Sequence, residues 1–301
     1  MLTGEDRLAW LIERRKGIGA SDAASIMGVG KWGTALSVWL DKTSDEPPKE
    51  ESEETQFQRG NFFEPVCARL YANKTGEDLY KPAPILWHDD LDWMYASLDY
   101  RRKSDHRPIE CKTTRTMEEF GEPDSDQVPA YYAIQAQQQM EVADQPFVDF
   151  SVLCGFDHFI YTVKRNYEIA AMIIEVGGQF WENVKSRIQP DIDWAHKTTP
   201  ELMKTLYQKV KRRTITLGGE AVLLHDQYEQ LKLEEKTAKE AKELIHAKMK
   251  ALMGEADVAE LSDGSKWTRA EIKNKGYTVA PFTYITLTPR RSKAQKANGG
   301  Q

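Results

Sequence analysis

Glu110 and Lys112 sit two apart in the run Ile109-Glu110-Cys111-Lys112. An extended chain turns both to one face, because strand side chains alternate with period two. Asp99 closes the preceding β-type run, Trp93 to Leu98. If the two runs are neighbours across the polar turn Arg101 to Pro108, the carboxylates of Asp99 and Glu110 converge with Lys112 beside them. Carboxylate oxygens are hard ligands suited to Mg²⁺ or Mn²⁺, and an amine beside a metal-bound water orients it or helps to deprotonate it. That is the minimum equipment for phosphodiester hydrolysis, where positive charge must meet the negative charge gathering on phosphate. The Glu-x-Lys spacing alone is weak, because it occurs at 110, 234, 240 and 271. Glu234 and Glu240 fall in a helical stretch as solvated residues, and Glu271, with Asp263 eight residues upstream, is a decoy in a basic tail.

The elements that must position these residues are legible as alternating helix and strand. Ser21 is expected to cap a short helix through Ile26 and Met27 that stops at Gly28-Val29-Gly30. The acidic, Pro-containing stretch Thr43 to Glu54 reads as an exposed loop. Asn61 to Lys74 repeats Phe63, Val66, Cys67, Leu70 and Tyr71 at helical spacing and ends at Gly76. Ile85 to Trp87, Trp93 to Leu98 and Ile109 to Lys112 are expected as strands of one sheet. Pro129 to Val142 returns to helix, Phe147 to Cys154 pairs with His158 to Val163, and Asn166 to Arg187 is a helix presenting Ile169, Met172, Ile173, Val176 and Phe180 on one side. The order predicts an α/β sandwich with a mixed sheet.

Pro190 to Pro200 reads as a linker. Beyond it, Glu220 to Met253 predicts a long amphipathic helix closed by Gly254, packed on its own domain in preference to a partner coiled coil. Asp263-Gly264 marks a hairpin turn, Tyr284 to Thr288 alternates as a strand, and Arg290 to Gln301 is expected to fray.

Composition narrows the function classes. The chain has 301 residues with 40% hydrophobic and 10% aromatic content, enough for a real core. No run approaches the ~18 apolar residues of a membrane span, and charge in Met1 to Glu13 argues against a signal peptide, so a cytoplasmic protein with no membrane association is expected. Cys67, Cys111 and Cys154 lack the paired spacings of zinc sites, and the six histidines share no motif. Residues 1–202 hold 22 Lys and Arg against 35 Asp and Glu, whereas residues 203–301 hold 19 against 12. The acidic part suits cation binding, and the basic part is the more conventional nucleic-acid surface. Trp10, Trp32, Trp39 and Trp87 read as core or interface residues, while Arg101, Arg102 and Lys103 lean slightly toward a DNA-backbone contact.

Four segments then match one pattern in order. They are Trp10 with Arg14-Arg15-Lys16-Gly17-Ile18-Gly19-Ala20-Ser21-Asp22; Arg59-Gly60-Asn61-Phe62-Phe63-Glu64-Pro65; Ser97-Leu98-Asp99 with Glu110-Cys111-Lys112; and Tyr132-Ala133-Ile134-Gln135-Ala136-Gln137-Gln138-Gln139-Met140. Together they resemble the lambda exonuclease and YqaJ-type viral recombinase family of the PD-(D/E)xK nuclease superfamily, over about residues 10–195. The resemblance implies a restriction-endonuclease-like α/β core, with a mixed central sheet flanked by helices, in residues 1–195. Residues 196–301, beyond the resemblance, are expected to form a C-terminal extension of long helix and small β hairpin.

By the same resemblance, Asp99, Glu110 and the backbone carbonyl of Cys111 would ligate Mg²⁺ or Mn²⁺, two ions per site, with Lys112 activating the nucleophile. Glu64 would add a carboxylate directly or through water, Gln135 and Tyr132 would edge the site, and Arg15 with Ser21 would bind a 5′-terminal phosphate. The segment before Ser21 is one residue shorter than in the lambda enzyme, so Arg14 and Lys16 stand as alternatives to Arg15. Tyr100 stands where the family often has Gly. The implied activity is 5′-to-3′ digestion of one strand of double-stranded DNA ends in a bacterial host's cytoplasm, leaving a 3′ single strand for a single-strand annealing protein. A homo-oligomeric ring, a trimer in the favoured form, would hold the acidic chain on DNA by topology, since charges beyond about 10 Å are screened. A DNA endonuclease on the same core and a catalytically silent DNA-binding recombination adaptor are the alternatives.

Overall fold

A computed structural model describes residues 4–48, 55–207 and 214–270. Glu271, Tyr284 to Thr288 and Arg290 to Gln301 lie outside the described residues. The chain divides into two units, Met1–Leu206 and Tyr207–Gln301. The first contains α1 (Gly4–Arg14), β1 (Ile18–Gly19), α2 (Ala20–Ile26), α3 (Ala35–Thr43), α4 (Thr55–Thr75), β2 (Leu79–Tyr80), β3 (Leu86–Trp87), β4 (Met94–Ala96), β5 (Tyr100–Arg102) and β6 (Pro108–Thr114). It continues with α5 (Ala130–Ala143), β7 (Phe147–Cys154), β8 (Asp157–Lys164), α6 (Tyr167–Lys185) and α7 (Thr199–Leu206). The second contains α8 (Gly219–Met253), β9 (Val258–Glu260) and β10 (Lys266–Thr268).

The strands fall into two sheets in the first unit, not the single one expected. β3 and β4 join β1 in the order β1-β4-β3, while β5 and β6 belong to a five-stranded sheet, β2-β5-β6-β7-β8. The chain leaves β4 at Ala96, passes through Ser97 to Asp99 without ladder bonds, and re-enters pairing at Tyr100. Both sheets are mixed, β1 running parallel to β4 and β6 parallel to β7. Strand β7 is covered on both faces. Val148, Phe150 and Val152 pack with Ala136 and Met140 of α5, whereas Asp149 and Ser151 face α4 through Tyr71 Oη and the Cys67 carbonyl. Full burial of a side chain such as Phe150 contributes roughly 1.5–3 kcal/mol.

Two glycines let β1 reach its place. A Cβ on Gly17 would lie 2.5 Å from the Trp93 carbonyl oxygen, and one on Gly19 would lie 2.7 Å from the Tyr95 ring. Gly19, not Ser21, is the N-cap of α2, and Asp22 reaches back 3.1 Å to the Gly19 N–H. Asp22 thus occupies the helix end that Ser21 was expected to leave open to an anion. In α6 the buried stripe is Ala170, Ile173, Gly177, Phe180 and Val184, leaving Met172 and Val176 exposed. A Cβ at Gly177 would lie 3.0 Å from the Trp93 ring, so the face that packs runs through this glycine. The linker expected over Pro190 to Pro200 ends in α7, whose Thr199 is buried.

In the second unit, Asp263-Gly264 turns β9 into β10 with Gly264 at φ +85°. No described residue of α8 is buried, and its His246 lies 5.3 Å from the Trp267 ring of β10. Among the described residues, no helix is long and apolar enough to cross a membrane.

Candidate active site

Register brings the chemistry together. Tyr100 pairs with Ile109 and Arg101 with Pro108 across β5 and β6, which puts Asp99 beside Glu110 just beyond the last ladder pair. The backbone N–H of Cys111 donates to Asp99 Oδ2 at 2.8 Å. Tyr100 is the first residue of β5, in ordinary extended pairing that needs no glycine, and Lys81 Nζ lies 5.1 Å from its ring centroid.

Glu110 is 5% exposed and both its oxygens are held. Oε1 accepts from Lys112 Nζ at 2.6 Å and from Gln135 Nε2 at 2.7 Å, and Oε2 accepts from Gln139 Nε2 at 2.6 Å. Gln135 and Gln139 are four apart on α5, so both face the same side of the helix. Between them, Gln138 Nε2 donates to the carbonyls of Ile18 and Tyr95 at 2.9 and 3.0 Å, tying α5 to β1 and β4. Gln137 spans the Lys164 carbonyl and the Asn166 N–H, closing the β8–α6 corner. Two of the four glutamines touch the site and two brace it.

The electrostatics are those of crowded acid. Burial, then the neighbouring Glu110 charge, hold the Asp99 carboxyl well above the usual carboxylate range, against the opposing pull of Lys112. The Lys112 amine is pushed up despite burial, chiefly by Glu110, so it is an ammonium as held here. Tyr132 lies under it, with Nζ 4.6 Å from the ring centroid. Burial pushes the Cys67 thiol up to about 11 and the Cys111 thiol higher still, so neither is a thiolate near neutrality.

Glu64 stands at the edge of this group. Its Oε1 accepts from Lys81 at 2.6 Å, and its charge contributes to holding Asp99 up. No group of three or more His, Cys, Asp or Glu side chains able to hold a metal ion is present among the described residues. The donor chemistry nevertheless fits a divalent cation. Asp99, Glu110 and Glu64 face two ammonium groups, Lys112 and Lys81, and the acid at 99 carries the cost of that imbalance. Asp99 and Glu110, with the Cys111 carbonyl, are the residues that would hold such an ion.

The basic residues are distributed differently from expectation. Arg14, the last residue of α1, donates to Ser21 Oγ at 3.2 Å and to Tyr95 Oη at 3.1 Å. Arg15 turns away to Asp41 at 2.9 Å and to the Glu46 carbonyl, so it does not meet Ser21. Lys16 pairs with Glu13. Behind Arg14, Lys42 is 2% exposed and donates to Asp22 at 2.9 Å and to the Arg14 carbonyl at 2.9 Å, a cluster with no signal in sequence because its members lie 20 and 28 residues apart. Arg102, expected at the DNA backbone, instead pairs with buried Asp149 at 2.5 Å and with Tyr71, and Arg101 donates to the His106 carbonyl. Lys103 is exposed beside Asp78. Trp10 covers Arg14 at 4.7 Å and Trp39 and Trp87 pack as expected, but Trp32 is exposed.

With this geometry in view, similarity to known proteins is specific. Residues 9–146 match the YqaJ-like viral recombinase domain. The uncharacterized protein YqaJ of Bacillus subtilis (strain 168) is 30% identical over 249 residues, covering 80% of this chain and 77% of that one. An alkaline exonuclease, LHK-Exo from Laribacter hongkongensis, is 19% identical over 64% of this chain and 98% of its own, with a TM-score of 0.49. LHK-Exo in complex with dAMP is 19% identical over 66% of this chain and 96% of its own, with a TM-score of 0.50, a likeness of fold.

Proposed function

The chain belongs to the YqaJ-like viral recombinase family, and on that premise we propose that it is a divalent-metal-dependent deoxyribonuclease acting from the 5′ ends of double-stranded DNA. The observation that carries this reading is the convergence of Asp99, Glu110 and Lys112 at the junction of β5 and β6, with Glu110 fixed from three sides. A bound Mg²⁺ or Mn²⁺, two ions in the fullest form of the site, would supply Lewis acidity and lower the pKa of a coordinated water.

The protein's own groups do the rest. The Cys111 N–H fixes one oxygen of Asp99 and so aims the other. Gln135 and Gln139 hold Glu110 without adding positive charge that would compete with a cation. Lys112, kept protonated by Glu110, donates to the attacking water or to a phosphate oxygen and stabilises charge that develops there. Arg14 and Ser21 offer a guanidinium and a hydroxyl to a 5′-terminal phosphate, the part assigned from sequence to Arg15 and Ser21. Glu64 and Tyr132 line the approach. The 3′ strand left behind would pass to a single-strand annealing protein, and a ring of copies, a trimer in the favoured form, would keep an acidic domain on its duplex.

The test is digestion of end-labelled linear and covalently closed circular duplexes with Mg²⁺. Linear DNA is expected to shorten from its 5′ ends while circles survive. Glu110→Ala and Lys112→Ala should each lower cleavage by at least about a thousandfold, a barrier change of about 4 kcal/mol, with binding retained. Wild-type-like digestion by Lys112→Ala rejects the assignment, and cleavage of circles makes the protein an endonuclease.

A further inference from the structure

Trp32 is 61% exposed, yet it is the outer member of a line of rings that ends at the site. Its centroid is 5.0 Å from Tyr131, edge to face, and 6.1 Å from Tyr132. Tyr131 and Tyr132 are 4.5 Å apart, and Tyr132 carries Lys112 on its face.

The loop between α2 and α3 is built to present this indole. Gly30 and Gly33 close on each other so tightly that a Cβ at 30 would lie 2.5 Å from the Gly33 carbonyl oxygen and from Ser25 Oγ. His196 Nε2 holds the Gly30 carbonyl at 2.9 Å. Lys31 pairs with Glu119 and donates to Tyr131 Oη at 3.3 Å, which sets its charge 5.4 Å from the Trp32 centroid. Tyr131 in turn donates to Glu119 at 2.9 Å. Holding a large apolar ring in water gains nothing for folding, so so many constraints on an exposed indole point to a ligand with a flat π face. The rings lead to a lysine suited to phosphate, so the ligand's flat part is joined to a phosphate backbone.

We infer that Trp32, backed by Tyr131, is the stacking platform for one unpaired nucleobase of the DNA strand entering the site. Trp32 is thus a substrate-positioning residue, and the inference rests on the nuclease reading. Exposed aromatic faces beside a backbone groove bind bases in this way with little regard to sequence.

The test is a cycle between the indole and the base. The full chain is titrated with labelled 5′-phosphorylated duplexes in EDTA, and a single abasic site is walked through the first four nucleotides from the 5′ end. Trp32→Ala is expected to weaken binding of intact DNA about tenfold, the stacking of one base. An abasic site at one position should do the same to wild type and nothing further to Trp32→Ala, while Trp32→Phe retains most of the affinity. Additive losses at every position, wild-type binding by Trp32→Ala, or no binding by wild type would overturn the inference. So would loss of assembly mass in Trp32→Ala with equal losses on intact and abasic DNA, which would make the indole a contact between copies. Because EDTA prevents hydrolysis, normal cleavage without coupling removes this inference alone. Coupling without Mg²⁺-dependent cleavage removes the nuclease reading alone.

Discussion

Lys42→Met is the most exacting single change for the architecture behind the site. Methionine keeps the length of the side chain and removes the ammonium, so packing is preserved while Asp22 loses its partner at 2.9 Å and the Arg14 carbonyl loses its donor. Stranding one charge of a buried pair costs about 3–5 kcal/mol. For a unit of this size, 1 kcal/mol is worth roughly 2–4 °C, so the midpoint should fall by about 6–20 °C. The pH dependence is equally specific. Burial opposes the Asp22 charge, but Lys42 and then Arg14 overcome it and hold its carboxyl below the usual range. A depressed carboxyl contributes stability above its unfolded value of about 3.9 and loses it as pH falls through the folded value. The Lys42→Met penalty is therefore greatest near neutrality and shrinks on acidification toward and below the usual carboxylate value of about 3.9, as Asp22 takes up a proton. Urea unfolding at pH 7, 5 and 3.5 measures it. A penalty below about 1 kcal/mol at pH 7, or one that does not shrink in acid, would refute the buried pair.

Other outcomes follow from the same contacts. Asp99→Asn should be more stable than wild type at pH 8 in EDTA, because a carboxyl whose folded pKa is raised loses stability as pH climbs through that value; at pH 3 the two should coincide, and urea midpoints decide. Mg²⁺ at a hundredfold its dissociation constant should stabilise wild type by about 2.7 kcal/mol and Asp99→Asn far less, in thermal melts with and without the ion. Arg14→Ala should remove the preference for 5′-phosphorylated over 5′-hydroxyl ends while Arg15→Ala keeps it; the reverse result in end-specific digestion would return the role to Arg15.

The carboxylates and lysine were legible in the sequence because a two-residue period and a short turn fix them locally. Helices α4, α5 and α6 were legible from their apolar spacing and end signals. What escaped was set by distance along the chain or by phase. Whether Arg14 or Arg15 meets Ser21 depends on where α1 ends, and one residue there is a rotation of about 100°. Arg102 reads as a residue for the DNA backbone until Asp149, 47 residues later, is seen buried opposite it. Alternation in Phe147 to Ser151 hinted at this, since an acid among apolar neighbours on a central strand must find a partner. The break between the two sheets falls at three unpaired residues, Ser97 to Asp99, whose composition resembles the strands on either side. Trp32 carries no mark of exposure, because an indole in a glycine-bounded loop has the same composition whether the loop folds in or out.

The grip on Glu110 has a consequence of its own. Two of its three donors are amides, which neither gain nor lose a proton anywhere in the range a cell or a buffer explores. These two contacts therefore bring no titration of their own to the centre. The carbonyl oxygen of Gln139, buried without a hydrogen-bond partner among the described residues, records what that constancy costs.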